Sequence, residues 1–238
     1  MKSVTTGLVA VCGGAMVLAG VLGFAQPEKP KTPATPTTPA APKAPATPAT
    51  PAKPATEHGQ PTMEEMMAHM AELAKPGKMH EFLTSSAGTW EGKCTSWNPM
   101  DPTAKPTTST CTTIITARMN GLYTTCETKG TLEMAPGQMV NFEGFGINTY
   151  NNASKKFEST WSDTMAPMIM TFTGDLSDGG KTLTLMSHYH CPMIDQDTWM
   201  RLVEKHTGSN TMTLEMYGPT MDGKGEFKMM QIDYTRKH

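Results

Sequence analysis

From Thr89 to the C-terminus the chain keeps breaking at turn residues, about every ten positions, and the runs between the breaks alternate with period two. The breaks are Pro99 to Pro106, Asn120-Gly121, Pro136-Gly137, Asn151-Asn152, Ala166-Pro167, Asp178-Gly179-Gly180, Gly208-Ser209-Asn210 and Asp222-Gly223-Lys224-Gly225. One further break falls near Pro192 to Asp195, and no helix-length apolar pattern interrupts the series. The runs predict about ten strands, starting near Thr89, Thr107, Leu122, Met139, Lys156, Met168, Lys181, Asp197, Thr211 and Glu226. Short connections favour an up-and-down meander. An antiparallel sheet of that width must hide its edges, and closing on itself is the usual solution. The fold expected is therefore mainly β, an antiparallel up-and-down barrel with one short N-terminal helix.

Alternation within the runs gives a wet face and a dry one. Met212, Leu214 and Met216 share one side while Thr211, Thr213 and Glu215 share the other, and Met230, Ile232 and Tyr234 repeat the pattern in the last strand. Val140, Phe142, Gly144 and Gly146 share a face, where the glycines would let the strand bend as a barrel wall must. Only 7% of residues are aromatic against 22 methionines, so flexible thioethers must fill much of the core.

The N-terminal quarter has another character. Lys2, the uncharged stretch from Ser3 to Phe24, and Gly23-Phe24-Ala25 with small residues around a cut after Ala25 form a signal-peptide layout over residues 1–25. The rival is an uncleaved membrane anchor, because about 18 uncharged residues is the lower limit for crossing a bilayer. Cys12 follows Val9-Ala10-Val11, which lacks the small residue that a lipid-attachment box places beside its cysteine. Residues 26–61 are nearly all Pro, Thr, Ala and Lys, with no aliphatic larger than Ala to bury, and read as a disordered, partly polyproline II linker. At about 3.1 Å per residue it could reach roughly 100 Å. The folded domain is expected over residues 62–238, exported to the periplasm or beyond, and tethered to a membrane only if the first segment stays uncleaved. The net charge of −2 becomes −3 without Lys2, and no basic block exists to neutralise phosphates, which argues against nucleic acid as a partner.

Thr62-Met63-Glu64-Glu65 carries a capping box, and Pro76-Gly77 stops the helix it starts. Met63, Met66, Met67, Met70 and Leu73 form one apolar stripe. Two readings follow: a thioether copper(I) site with His69 nearby, or a methionine face docked on the barrel as a lid, which the helical spacing alone explains.

After export, Cys94, Cys111, Cys126 and Cys191 are an even set in an oxidising compartment. Three pairings are open. Cys94 with Cys111, around one loop, and Cys126 with Cys191 is the pairing favoured. A thiolate metal site would need reduced sulfur, and no CxxC spacing is present.

Gly88-Thr89-Trp90, just after a helix and opening the first strand, resembles the Gly-x-Trp signature of lipocalins and their calycin relatives. Arg236 resembles the basic residue that packs over that tryptophan, so the resemblance implies barrel closure by Trp90 and Arg236. A wider set of segments extends the likeness: Pro76-Gly77-Lys78-Met79-His80-Glu81-Phe82-Leu83, Ala87-Gly88-Thr89-Trp90-Glu91-Gly92, Phe142-Glu143-Gly144-Phe145-Gly146 and Tyr150-Asn151. It continues in Ser159-Thr160-Trp161-Ser162-Asp163, Glu215-Met216-Tyr217 and Tyr234-Thr235-Arg236-Lys237. Together they resemble the bacterial domain-of-unknown-function family numbered 1579. That resemblance implies a lipocalin-like barrel and no catalytic activity. The four cysteines and His188-Tyr189-His190-Cys191-Pro192-Met193 depart from the family's pattern.

His188 and His190 stand on one side of a strand with Met186 beside them, a donor set that would suit copper. The segment Tyr189 to Met193 also resembles a short motif of heavy-metal-binding modules, although Ile194 stands where that motif has another His. The plainer reading is an outward polar pair beside a bridged Cys191. Enzyme motifs are lacking: no Gly-x-Ser-x-Gly elbow, no His-Glu-x-x-His, no phosphate-cradling glycine loop. Glu143, Asp163 and Asp175 are the acidic candidates for paired acid-base work, and the expectation is a non-enzyme without a cofactor. Two functions are then open. In one, a barrel lined by Trp90, Phe142, Trp161, Met170, Phe172, Leu214 and Met216, with Met168, Met212, Met230 and Ile232, holds an apolar small molecule in a cavity of a few hundred cubic ångströms. In the other, the barrel is filled and the domain is a structural or interaction module, with copper binding by Met186, His188 and His190 as a variant.

Overall fold

The computed structural model describes residues 60–135, 138–192 and 194–238. The signal segment and all but the last two linker residues lie outside them. Two helices come first, α1 (Met63–Leu73) and α2 (Lys78–Ser85). Five strands follow, β1 (Gly88–Ser96), β2 (Thr107–Arg118), β3 (Tyr123–Ala135), β4 (Gln138–Asn151) and β5 (Lys156–Asp163). The remaining five are β6 (Ala166–Ser177), β7 (Thr182–Cys191), β8 (Gln196–Gly208), β9 (Thr211–Pro219) and β10 (Glu226–Arg236). Each strand pairs antiparallel with the next in sequence, and β10 returns to β1, so the sheet closes as a barrel. Every strand begins within two residues of the position that the turn residues predict.

Closure rests on a cluster at one end. The Arg236 guanidinium lies 4.2 Å over the Trp90 ring and donates to the carbonyls of Ser85 and Ala87. The Trp90 indole N–H donates to the carbonyl of Ser86 at 2.8 Å. Gly88 is required here: its φ of +141° disfavours L side chains, and a Cβ would sit 2.5 Å from Arg236 Nη1. Trp90 and Arg236 are also register partners between β1 and β10. The closing ladder, the cation-π contact and the helix-to-strand link are thus one structure.

α1 and α2 divide the work that the sequence suggests for one helix. The capping box of α1 forms as expected: Glu65 N–H donates to Thr62 Oγ1 at 3.2 Å, and Thr62 N–H to Glu65 Oε2 at 2.8 Å. Its methionine face does not dock on the barrel. Met63, Met66, Met67 and Met70 are 69%, 42%, 65% and 69% exposed, and the helix buries no residue. Asn152 ties its end to the body by donating to the carbonyls of Leu73 and Lys75. The barrel end is closed instead by α2, which supplies buried His80, Phe82 and Leu83. Phe82 packs on Phe157 and His206, and His80 edge-on against Tyr150. Burial lowers the His80 pKa, which suits a neutral ring whose Nδ1 accepts the Gly77 N–H. α2 thus takes the place at the mouth that the α1 stripe is expected to take.

Methionine fills the interior as its abundance predicts, with Met170, Met200, Met212, Met216, Met229 and Met230 all buried. Arg236→Ala should cost about 2 kcal/mol or more in urea unfolding, since it removes a cation-π contact and two charged hydrogen bonds. Arg236→Lys should recover part of that. A loss under about 0.5 kcal/mol for the alanine variant, the range of a neutral surface change, would mean that closure does not depend on this cluster.

Candidate functional site

Period two sets which side chains face inward, and the glycines of β4 set how much room they have. Gly144 and Gly146 face the Trp161 indole from the neighbouring strand: a Cβ at Gly144 would lie 2.2 Å from Trp161 Cζ2, and one at Gly146 would lie 3.1 Å from Cε3. The glycines expected to bend the wall therefore make space for an aromatic ring. Asp163 holds that ring, accepting the indole N–H at 2.9 Å and the Met165 and Ala166 N–H groups on its other oxygen. Burial raises the Asp163 pKa.

Beside Trp161 lies an internal cavity of about 120 Å³. Phe142, Trp161, Phe172, Leu214 and Met216 line it as the sequence predicts, and so does Ile232. Trp90 and Met170 are buried but stand outside the lining, as do Met168, Met212 and Met230. Trp90 belongs to the closure cluster, and the cavity stops short of it. The volume is smaller than the few hundred cubic ångströms expected because Phe142, Met200 and Met230 are almost wholly buried and occupy the rest of the interior.

One side of the cavity is polar. Asn148, Ser159 and Glu204 line it, each two residues from Tyr150, Phe157 or His206, the residues that pack with α2. Ser159 Oγ donates to Asn148 Oδ1 at 2.7 Å, and Asn148 Nδ2 to Thr124 Oγ1 at 3.4 Å. Glu204 Oε1 is 2.9 Å from His206 Nε2, which also lies 3.3 Å from Ser86 Oγ. Glu204 is not among the residues expected to line the interior, although Met200, Leu202, Glu204 and His206 follow one parity along β8.

No disulfide joins the four described cysteines. Cys94 Sγ and Cys111 Sγ, on neighbouring strands, are 3.7 Å apart, beyond the bond length of about 2.05 Å. The expected partner strands of Cys126 and Cys191 are β3 and β7, with β4, β5 and β6 between them. A bridge cannot span that separation. Cys126 lines the cavity, and burial pushes its thiol up to about 12. The hydrogen bond that Cys111 shares with Cys94, and then burial, raise the Cys111 pKa. Both are poor nucleophiles at neutral pH.

Met186, His188 and His190 do share the outer face of β7. His190 is engaged there by carboxylates: Nδ1 is 3.0 Å from Asp197 and Nε2 is 3.0 Å from Asp195. Asp197, then Asp195, raise its pKa. Among the described residues no group of three or more His, Cys, Asp or Glu side chains is arranged to hold a metal ion. Each acidic candidate has a separate partner: Glu143 pairs with Lys129, Asp175 with Lys156, and Asp163 anchors Trp161.

The family described as "Protein of unknown function (DUF1579)" matches residues 75–236, a span running from just before α2 to the end of β10. No curated protein matches the chain.

Gly144→Ala should drive the indole out of its slot and lower stability by about 1–3 kcal/mol, the usual cost of overpacking. The near-ultraviolet circular dichroism of the folded protein should change with it. An unaltered spectrum and unfolding midpoint would show that Trp161 is not held by this gap.

Proposed function

The chain belongs to the DUF1579 family of proteins of unknown function, and we propose that it is a non-catalytic, lipocalin-like domain that holds a small apolar molecule inside its barrel. The observation that carries this reading is the cavity beside Trp161, walled by Phe142, Phe172, Leu185, Met200 and Met216. Walls of aromatic and thioether side chains favour an apolar occupant through burial alone, at about 25 cal/mol per Å² of apolar surface. The size restricts the occupant: an apolar cavity of about 150 Å³ accepts benzene or xenon, so about 120 Å³ suits five or six non-hydrogen atoms. The absence of hydrolase, metalloprotease and phosphate-loop motifs supports the non-catalytic part of the proposal.

The proposal includes export. Lys2, the uncharged stretch after it and the Gly23-Phe24-Ala25 cut favour a leader, and the Pro/Thr/Ala linker suits a domain held at a distance from a membrane or wall. The 3.7 Å approach of Cys94 to Cys111 favours a bridge between them in an oxidising compartment. Their sulfurs need to approach by about 1.6 Å to reach bonding distance, and the compartment's thiol oxidants take up the two electrons and two protons.

Xenon should give a saturable NMR shift with the purified protein, and Leu214→Phe, which fills the cavity, should remove the saturable part. A shift that rises linearly with xenon pressure in both proteins would mean a packed barrel and would reject the carrier reading. For export, alkylation under denaturing conditions of protein recovered outside the cytoplasm should label Cys126 and Cys191 and spare Cys94 and Cys111. Full labelling of all four would reject that bridge.

A further inference from the structure

We infer that the cavity selects a small alkyl or aryl ammonium ion, with its nitrogen at Glu204 and its hydrocarbon against Trp161, Met200 and Met216. This deepens the carrier reading above and rests on it.

The argument starts from the balance of donors and acceptors on the polar side. Glu204 projects from the inner face of β8, where its register partners on the flanking strands are Leu183 and Leu214, both of which line the cavity. Its ion-pair partner among the described residues is His206, through Oε1. Oε2 accepts no hydrogen bond from the described residues. The lysines and arginine of this wall serve the outer surface: Lys205 and Lys228 bind Glu215, and Arg201 binds Glu226 and stacks on Tyr217. Also in the lining, the Ser159 hydroxyl hydrogen is directed to Asn148 Oδ1, and one Asn148 amide hydrogen to Thr124 Oγ1. What these side chains offer an occupant is chiefly oxygen lone pairs, those of Glu204, Ser159 and Asn148, with one Asn148 amide hydrogen as the remaining donor.

An ammonium group carries three donors and no acceptor, the complement of such a surface. A hydroxyl group brings one donor and two lone pairs that would face other lone pairs. A carboxylate occupant would be repelled. A hydrocarbon of the same shape would make no hydrogen bond to the half-buried Glu204 carboxylate. Charge-assisted hydrogen bonds are roughly twice as strong as neutral ones, so the discrimination should be read chiefly against the neutral isosteres.

Butylammonium, 1-butanol and pentane have the same heavy-atom count and shape, and each suits the volume. The full-length protein labelled at its methionine methyl groups should be titrated with each while the Met200 and Met216 resonances are followed. Butylammonium is expected to bind about tenfold or more tightly than either neutral probe, and Glu204→Gln should remove that preference while keeping pentane binding. Equal affinities for the three probes in the wild-type protein would overturn the ammonium assignment and leave the carrier reading standing. Failure of all three to move Met200 or Met216 would overturn both. The wild-type comparison decides the proposal even if Glu204→Gln fails to fold.

Discussion

The antiparallel pairing of β1 with β10 is the contact on which the rest of the structure depends. Without it the ten strands would be an open sheet with two unpaired edges and one apolar face, an arrangement that invites association with other chains. With it, the apolar face becomes an interior. Trp90 and Arg236 sit on that seam, and their hydrogen bonds to Ser85, Ser86 and Ala87 carry the seam into α2. Closure and capping are therefore coupled: α2 covers the end of the barrel because the same cluster that joins the first and last strands fixes where the chain leaves the helix.

Closure also creates the packing problem that the interior has to solve. A ten-strand ring is too wide for one layer of small side chains, and here it is filled by large flexible ones. Met200, Met230 and Phe142 close one part, while Trp161 reaches across Gly144 and Gly146 on the adjacent strand. Thioethers adapt to irregular gaps, so the space beside Trp161 is a small cavity of about 120 Å³. Its polar side lies next to α2, where Asn148, Ser159 and Glu204 precede or follow the aromatic and imidazole residues of the cap. The placement follows from strand parity, since a residue two steps from a capping position faces the same interior.

The candidate site was legible in part. Phe142, Trp161, Phe172, Leu214 and Met216 could be assigned to the interior because apolar residues at alternate positions leave one choice of face. Trp90 and Met170 follow the same parity yet miss the cavity, because parity says which way a side chain points and nothing about its height in the barrel. Glu204 lies in a strand whose inward residues were not assigned from the sequence, although Met200 and Leu202 before it share its parity. The methionine stripe of α1 misled in the opposite direction: helical spacing makes an apolar face, but whether anything covers it depends on what else competes for the barrel mouth, and Phe82 and Leu83 of α2 took that place.

The sequence by itself determined the strand number, the strand boundaries, the closed up-and-down topology and the capping box at Thr62. These follow from period-two alternation, turn chemistry and the need to hide sheet edges, all of which act over a few residues or on the sheet as a whole. The tertiary structure decided which cysteines come close, how large the cavity is, and that a carboxylate faces it. Cys94 and Cys111 meet because β1 and β2 are neighbours, whereas Cys126 and Cys191 are separated because β3 and β7 stand on distant parts of the ring. Those outcomes depend on the register of ten strands and the summed volumes of side chains that share no local sequence, and only the closed barrel brings them together.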